Sequence, residues 1–480
     1  MGPVCVDAND KEIQRLGMIK RLGAALPPLD PVFLSRLEAT TRDFIKRHGD
    51  VLVPLSEIDD LETWLSKTDY NISRKDGLRR TAAAVLQCLK LPDWILKRFS
   101  KVKSFVKVES YPLFKMARWI NSRVDDFKVF WGPACRQIEE ALFQLPYFIK
   151  HVPVPLRPGK IENLIQGGAR YYATDYSSFE ALIRPEVMRA TECVLYRHML
   201  SKFPEYADVV CDTLTGPNRL TSSHWKVVIG GRRMSGDMNT SLGNGFINLM
   251  LWMTMCDMAG IPRDHWSGFV EGDDGIFAVY SNARVWTEQE WLRAGFRLKM
   301  ASVSDPRLAS FCGIISAVGE IVRDPYAFLS TFGWSSSMVE ASERICWDLL
   351  HAKALSAIYE TPQCPIVGAL SRYALSCVPP TSTPRYVEDG YHKPPPDFAL
   401  TEFAPALGTR QCFERVYGIS VPTQIYVESL IQSGRLGDVY SALPLQSPER
   451  SELTAVEPEY GSQWSSDSNF TSESLLREWC

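Results

Sequence analysis

The stretch GFVEGDDGIFAV, residues 268–279, sets two adjacent carboxylates, Asp273 and Asp274, between two apolar runs. Apolar residues on both sides of a Gly-Asp-Asp-Gly centre predict two short strands. Gly272 and Gly275 are expected to supply the positive φ that a tight hairpin turn needs. A carboxylate among apolar neighbours is costly unless compensated, so the stretch calls for a cation. Taken alone, the pattern is also that of a surface hairpin, because Asp-Gly is a common turn dipeptide.

A second acidic group bears on that choice. In YYATDYSSFE (171–180), an aromatic-rich strand over 169–175 ends on Asp175, and Glu180 follows in the next turn. Two strand ends that each offer an acid can converge on hard divalent cations, which take oxygen ligands. Asp175 and Asp273 thus form a candidate metal-ligand pair, suited to phosphoryl chemistry with two Mg²⁺ ions. The third element is SGDMNTSLGN (235–244), the end of a glycine-rich loop that runs into an apolar helix. Backbone N–H groups around Gly230, Gly231 and Gly236 can approach a phosphate or sugar. Ser235, Thr240 and Asn244 offer hydrogen bonds, although the same residues also suit a plain capped helix start.

With 45% hydrophobic and 23% charged residues the 480-residue chain is ordinary globular material, long enough for several lobes. Its formal net charge of −3 implies no polyanion partner by itself. Local clustering must provide any such site, and residues 61–170 do cluster cations. There SRKDGLRR (73–80) and LKRFSKVKSFVKVE (96–109) precede Lys115, Arg118 and Arg123, and SFVKVES alternates as a strand with cations on one side. The twelve cysteines lack zinc spacing and are expected to be mostly buried free thiols of a reducing compartment. The start, MGPVCVDAND, resembles no signal peptide, and Val6 stands where myristoylation wants Ser or Thr. The run FINLMLWMTMCDMAG (246–260) is too short and too interrupted for a membrane span. Residues 1–60 read as an irregular or partly helical leader, 287–295 as an amphipathic helix and 341–360 as the clearest helix of a helical region. Past residue 446 the polar, acidic, serine-rich sequence predicts disorder.

In order and spacing these stretches resemble the RNA-dependent RNA polymerases of positive-strand RNA viruses, particularly the tombusvirus-like lineage. FVKVES…FKMARWI (105–120) is similar to the family's motif F, DYSSFE to motif A, SGDMNTSLGN to motif B and EGDDGIF to motif C. GFRLKM (295–300) and ASFCGII (309–315) resemble motifs D and E. The resemblance implies an α+β palm within a right-hand fold: leader 1–60, basic fingers 61–170, palm 171–324, helical thumb 325–445 and tail 446–480. It implies that Asp175 and Asp273, supported by Asp274, hold two Mg²⁺ ions, with Mn²⁺ as a substitute. Glu180, Ser235, Gly236, Thr240 and Asn244 would read the ribose, although the family usually has Asp where Glu180 stands. Lys107 and Arg118, helped by Lys115 and Arg123, would contact the triphosphate. Lys299 would protonate the leaving pyrophosphate, a solvated lysine being the rival interpretation.

The implied partners are NTPs, a single-stranded RNA template, the nascent RNA, and viral or host proteins that tether the enzyme to membranes in the host cytoplasm. Two alternatives stand beside RNA synthesis: a reverse transcriptase on the same palm, and a degenerate palm acting as an RNA-binding scaffold.

Overall fold

The computed structural model describes residues 4–23, 25–86, 92–111, 116–280, 282–334, 341–386 and 392–443. The acidic tail and Lys115 lie outside the described residues.

Among the described residues, two four-stranded sheets organise the fold. The first contains β1 (Lys101–Val106), β2 (Trp119–Arg123), β4 (Asn218–Thr221) and β5 (Lys226–Ile229). Its order is β2-β1-β4-β5, with only the β1–β4 pair parallel. Strict alternation along β1 buries Val102, Ser104 and Val106 and exposes Lys101, Lys103 and Phe105; of the stretch SFVKVES expected as a strand, residues 104–106 belong to β1 and residues 107–109 to no strand. The second sheet contains β3 (Arg170–Tyr176), β6 (Trp266–Glu271), β7 (Asp274–Val279) and β8 (Leu298–Val303). Its order is β8-β3-β7-β6, antiparallel throughout.

A long helix, Thr240–Met258, backs the second sheet, and its residues from Leu242 to Cys256 are all buried. A helix that is apolar all round belongs in a core rather than on a surface. The ring of Trp252 stacks on Phe277 of β7, with centroids 3.9 Å apart and planes 4° from parallel. Among the described residues, no helix is long and apolar enough to cross a membrane.

The leader is more ordered than its sequence suggested. It forms helices over Lys11–Met18 and Pro31–Arg47, joined by a π-helical turn at Ile19–Gly23. Asp30 caps the second helix, Pro31 opens it, and Phe33, Leu37 and Phe44 are buried along one stripe. That stripe enters the main core, where Phe33 meets Trp291 and Phe296 edge-on and Phe44 meets Phe246. The helices expected near 287–295 and 341–360 run over Glu288–Ala294 and Glu343–Glu360. Helices after residue 325 gather round a separate core that includes Ile366, Phe413 and Ile431. The cysteine side chains described are free thiols, most of them buried.

Candidate active site

Strands β6 and β7 pair without slippage down to Glu271 opposite Asp274, which leaves Gly272 and Asp273 as the two-residue turn. Gly272 has φ +61°, the left-handed conformation that glycine adopts without strain at the first central position of such a hairpin. Gly275 departs from expectation, because its φ is not positive. Its lack of a side chain serves close packing instead: a Cβ there would lie 2.6 Å from both the Thr174 hydroxyl and the Phe277 ring.

The neighbouring strand brings in the next acid. Thr174 of β3 pairs with Gly275 of β7, so Asp175 stands beside the start of the Asp-Asp turn. On its other side Asp175 faces Lys299 of β8. Directly opposed residues of an antiparallel pair share a sheet face, which puts that carboxylate and that ammonium side by side. Lys299 is exposed. Past the strand, Ser178 takes φ +55° and turns the chain into the short helix Phe179–Leu182, which carries Glu180.

Two of the acids, Asp273 and Asp274, are perturbed by burial and by their neighbours. Burial raises the pKa of Asp273, and the charges of Glu180 and Asp175 raise it further. Asp274 is pushed up to about 7 by burial, then by Asp273, Asp175 and Glu271, while a backbone hydrogen bond from Cys312 opposes. Glu271 is itself paired, 3.2 Å from Lys150 and 2.7 Å from Arg157. Crowded, part-buried carboxylates of this kind are the state that a divalent cation relieves. Among the described residues, no group of three or more acidic, histidine or cysteine side chains is placed to hold a metal ion. The donor set fits Mg²⁺, which is commonly held by one or two carboxylates together with substrate oxygens.

A second set of residues lines up along the loop before the long helix. The Ser235 hydroxyl accepts from the Asn121 amide at 3.2 Å and donates to the Trp119 carbonyl at 3.1 Å, tying the loop to β2. The Gly236 amide donates to the Asn121 carbonyl at 2.9 Å. A Cβ on Gly236 would lie 3.0 Å from the Ile120 side chain, so a larger residue there would press Ile120 aside by a few tenths of an ångström. The Thr240 hydroxyl donates to the carbonyl of Asp237 at 2.7 Å. Asn244 is buried, and its side-chain oxygen accepts from Arg233 at 3.1 Å. Arg233 in turn is held by the fully buried Glu192.

The cations expected at the triphosphate lie in two different settings. Lys107 and Arg118 both engage Glu109, with Lys107 at 3.1 Å and the Arg118 Nε at 2.9 Å. Burial acts most strongly on Glu109, yet hydrogen bonds from Arg118 and Tyr111 outweigh it and bring its pKa down to about 2. Arg123 is buried and bonded to Asp237 (3.1 Å), Asn218 (2.7 Å) and the Phe99 carbonyl (3.3 Å). It welds β2 to the 235–240 loop in the interior.

Sequence reasoning missed Asn248. Its amide nitrogen lies 3.2, 3.0 and 3.0 Å from the carbonyl oxygens of Gly272, Asp273 and Asp274, and so clamps the acidic turn from behind. The available signal was a lone Asn in an apolar run, four residues after Asn244 and therefore on the same helix face. Glu109 was also missed, although it falls between Lys107 and the basic residues that follow.

Residues 175–314 match the family described as viral RNA dependent RNA polymerase. The chain is also 26% identical over 222 residues to a protein named RNA-directed RNA polymerase from Maize chlorotic mottle virus (isolate United States/Kansas/1987). That similarity covers 42% of this chain and 22% of the relative, so the chain matches about a fifth of that protein's length. The resemblance noted from the motifs therefore holds for the segment that carries Asp175, Asp273 and Asp274.

Proposed function

We propose that this chain is an RNA-directed RNA polymerase. In the proposed reaction the 3′-OH of a nascent RNA attacks the α-phosphate of an NTP in line, and pyrophosphate leaves. The observation that carries this is the meeting of Asp175 with the Asp273–Asp274 turn at one sheet end, where burial and neighbouring charge raise the pKa values of Asp273 and Asp274, inside the segment that matches the polymerase family.

In this proposal Asp175 and Asp273, with Asp274 beside them, are the ligands for two Mg²⁺ ions, which Mn²⁺ can replace. Bound there, the ions supply Lewis-acid neutralisation of charge on the phosphoryl oxygens. Lys299, opposite Asp175, donates a proton to the departing pyrophosphate. Glu180, Ser235, Gly236, Thr240 and Asn244 form the ribose-reading face, where a site built to bond a 2′-OH rejects a sugar that lacks it. Lys107 and Arg118, poised on Glu109, are the candidate triphosphate contacts, whereas the burial of Arg123 supports a scaffolding role for it. The sheet with the acids is the palm, the β1-β2-β4-β5 sheet belongs to the fingers, and the helices after residue 325 are the thumb. The partners are template and nascent RNA, and proteins that bring the enzyme to membranes in the host cytoplasm.

The test is radiolabelled NTP incorporation on single-stranded RNA by wild type and Asp273→Ala, in Mg²⁺ and in Mn²⁺. Product that depends on Asp273 supports the proposal. Preference for dNTPs would favour a reverse transcriptase, and RNA binding without incorporation by either protein would favour a scaffold.

A further inference from the structure

The leader reaches the ribose-reading face. Helix Lys11–Met18 docks on the hairpin between β4 and β5, where Gln14 donates to the Ser223 hydroxyl at 3.0 Å and the Lys11 ammonium lies 5.1 Å from the Trp225 ring centre. The π-helical turn Ile19–Gly23 follows, and such turns are rare and concentrate at functional positions. Leu22 is buried there with Val102, Leu220, Ile229 and Met234. Its carbonyl accepts from Arg232, three residues before Ser235. One residue earlier in the turn, Arg21 Nη1 lies 3.2 Å from Glu180 Oε2, with both side chains about three-quarters buried (25% and 23% exposed).

We infer that Arg21 is a positioning residue for Glu180, through which the leader sets the strictness of ribose selection at the site proposed above. The inference rests on that proposed function. A glutamate has one more rotatable bond than the aspartate usual at its position, so it needs a partner to fix its carboxylate. Arg21 is that partner, and its guanidinium is also near enough to act on Asp273. The Asn244 side-chain oxygen accepts from Arg233, and only the Asn244 NH₂ could donate to that carboxylate. The leader anchors the turn to the 230–236 loop through Arg232 and Met234 and reaches the motif A acid through Arg21. The two halves of the ribose-reading face are thereby held by one segment that contains no catalytic residue. Without Arg21, Glu180 samples several rotamers, and the penalty on a deoxyribose falls.

The test compares the NTP-to-dNTP ratio of kcat/KM for wild type, Arg21→Ala, Arg21→Gln and Arg21→Lys, alongside thermal unfolding of each. The expected result is that Ala and Gln reduce the ratio roughly 10-fold, the scale of one hydrogen bond to a charged group. Lys, which retains the charge, is expected to recover most of the ratio. An unchanged ratio, or equal losses for both sugars, overturns the positioning role and leaves a merely structural strut. If Ala unfolds the protein, Gln against Lys decides on the same readout. Failure of wild type to incorporate NTPs at all would instead overturn the proposed function, and with it this inference.

Discussion

Asn248→Ala isolates what the back of the acidic turn contributes. The amide NH₂ has two hydrogens for three carbonyl oxygens at 3.0–3.2 Å, so it supports about two full bonds at a time. At about 1 kcal/mol net for each, the turn loses ~2 kcal/mol. Two corrections lower that figure and a third raises it. The carbonyls are only part-buried, so water regains some of them. The side-chain oxygen of Asn248 is buried without a partner, and removing it relieves a cost. Both reduce the loss, whereas the cavity left beneath the turn increases it. The expected outcome is therefore ~2 kcal/mol of local stability, read as a roughly 30-fold fall in amide-exchange protection across the β6–β7 hairpin. Incorporation should fall about 100-fold, because displacing the carboxylates by about 1 Å costs that much. Protection within about 2-fold of wild type, with unchanged incorporation, would refute the clamp.

Further outcomes follow from the same packing. Gly275→Ala must displace both Thr174 and Phe277, so it should destabilise the protein by about 1–3 kcal/mol in urea unfolding. Arg123→Met strands Asp237, whose burial already raises its pKa despite Arg123, and should cost about 3–5 kcal/mol by the same measurement. Glu109 has its folded pKa depressed to about 2 from 4.5. Its ionised form therefore favours the folded state above the unfolded pKa, and that contribution is lost as pH falls from about 4.5 through about 2. In Glu109→Gln that part of the acid dependence should be missing from stability measured between pH 5 and 2.

Local patterns carried most of the site. The hairpin, the β3 strand and the buried helix were legible because each declares itself within about a dozen residues, by apolar runs, glycine placement and length. The leader helix also carried its signals, Asp30, Pro31 and a stripe through Phe33, Leu37 and Phe44. Its place in the main core was not readable, since Trp291 and Phe296 lie far along the chain. The same separation hid the pairings. Arg123 and Asp237 are 114 residues apart and Arg21 and Glu180 are 159 apart, so a basic cluster that looked like a ligand surface proved in part to be internal ion pairs. Asn248 went unnoticed because its partners are backbone carbonyls, which leave no mark in the sequence.

The most direct test of the central proposal is single-nucleotide extension by wild type and Asp175→Asn, on primed and unprimed RNA, with the next template base set to each of the four in turn. The account predicts that wild type adds only the complementary NTP and that Asp175→Asn loses at least about 100-fold in rate, the scale of removing one electrostatic group from a transition state. Addition that ignores the template, or equal extension by Asp175→Asn, would contradict it.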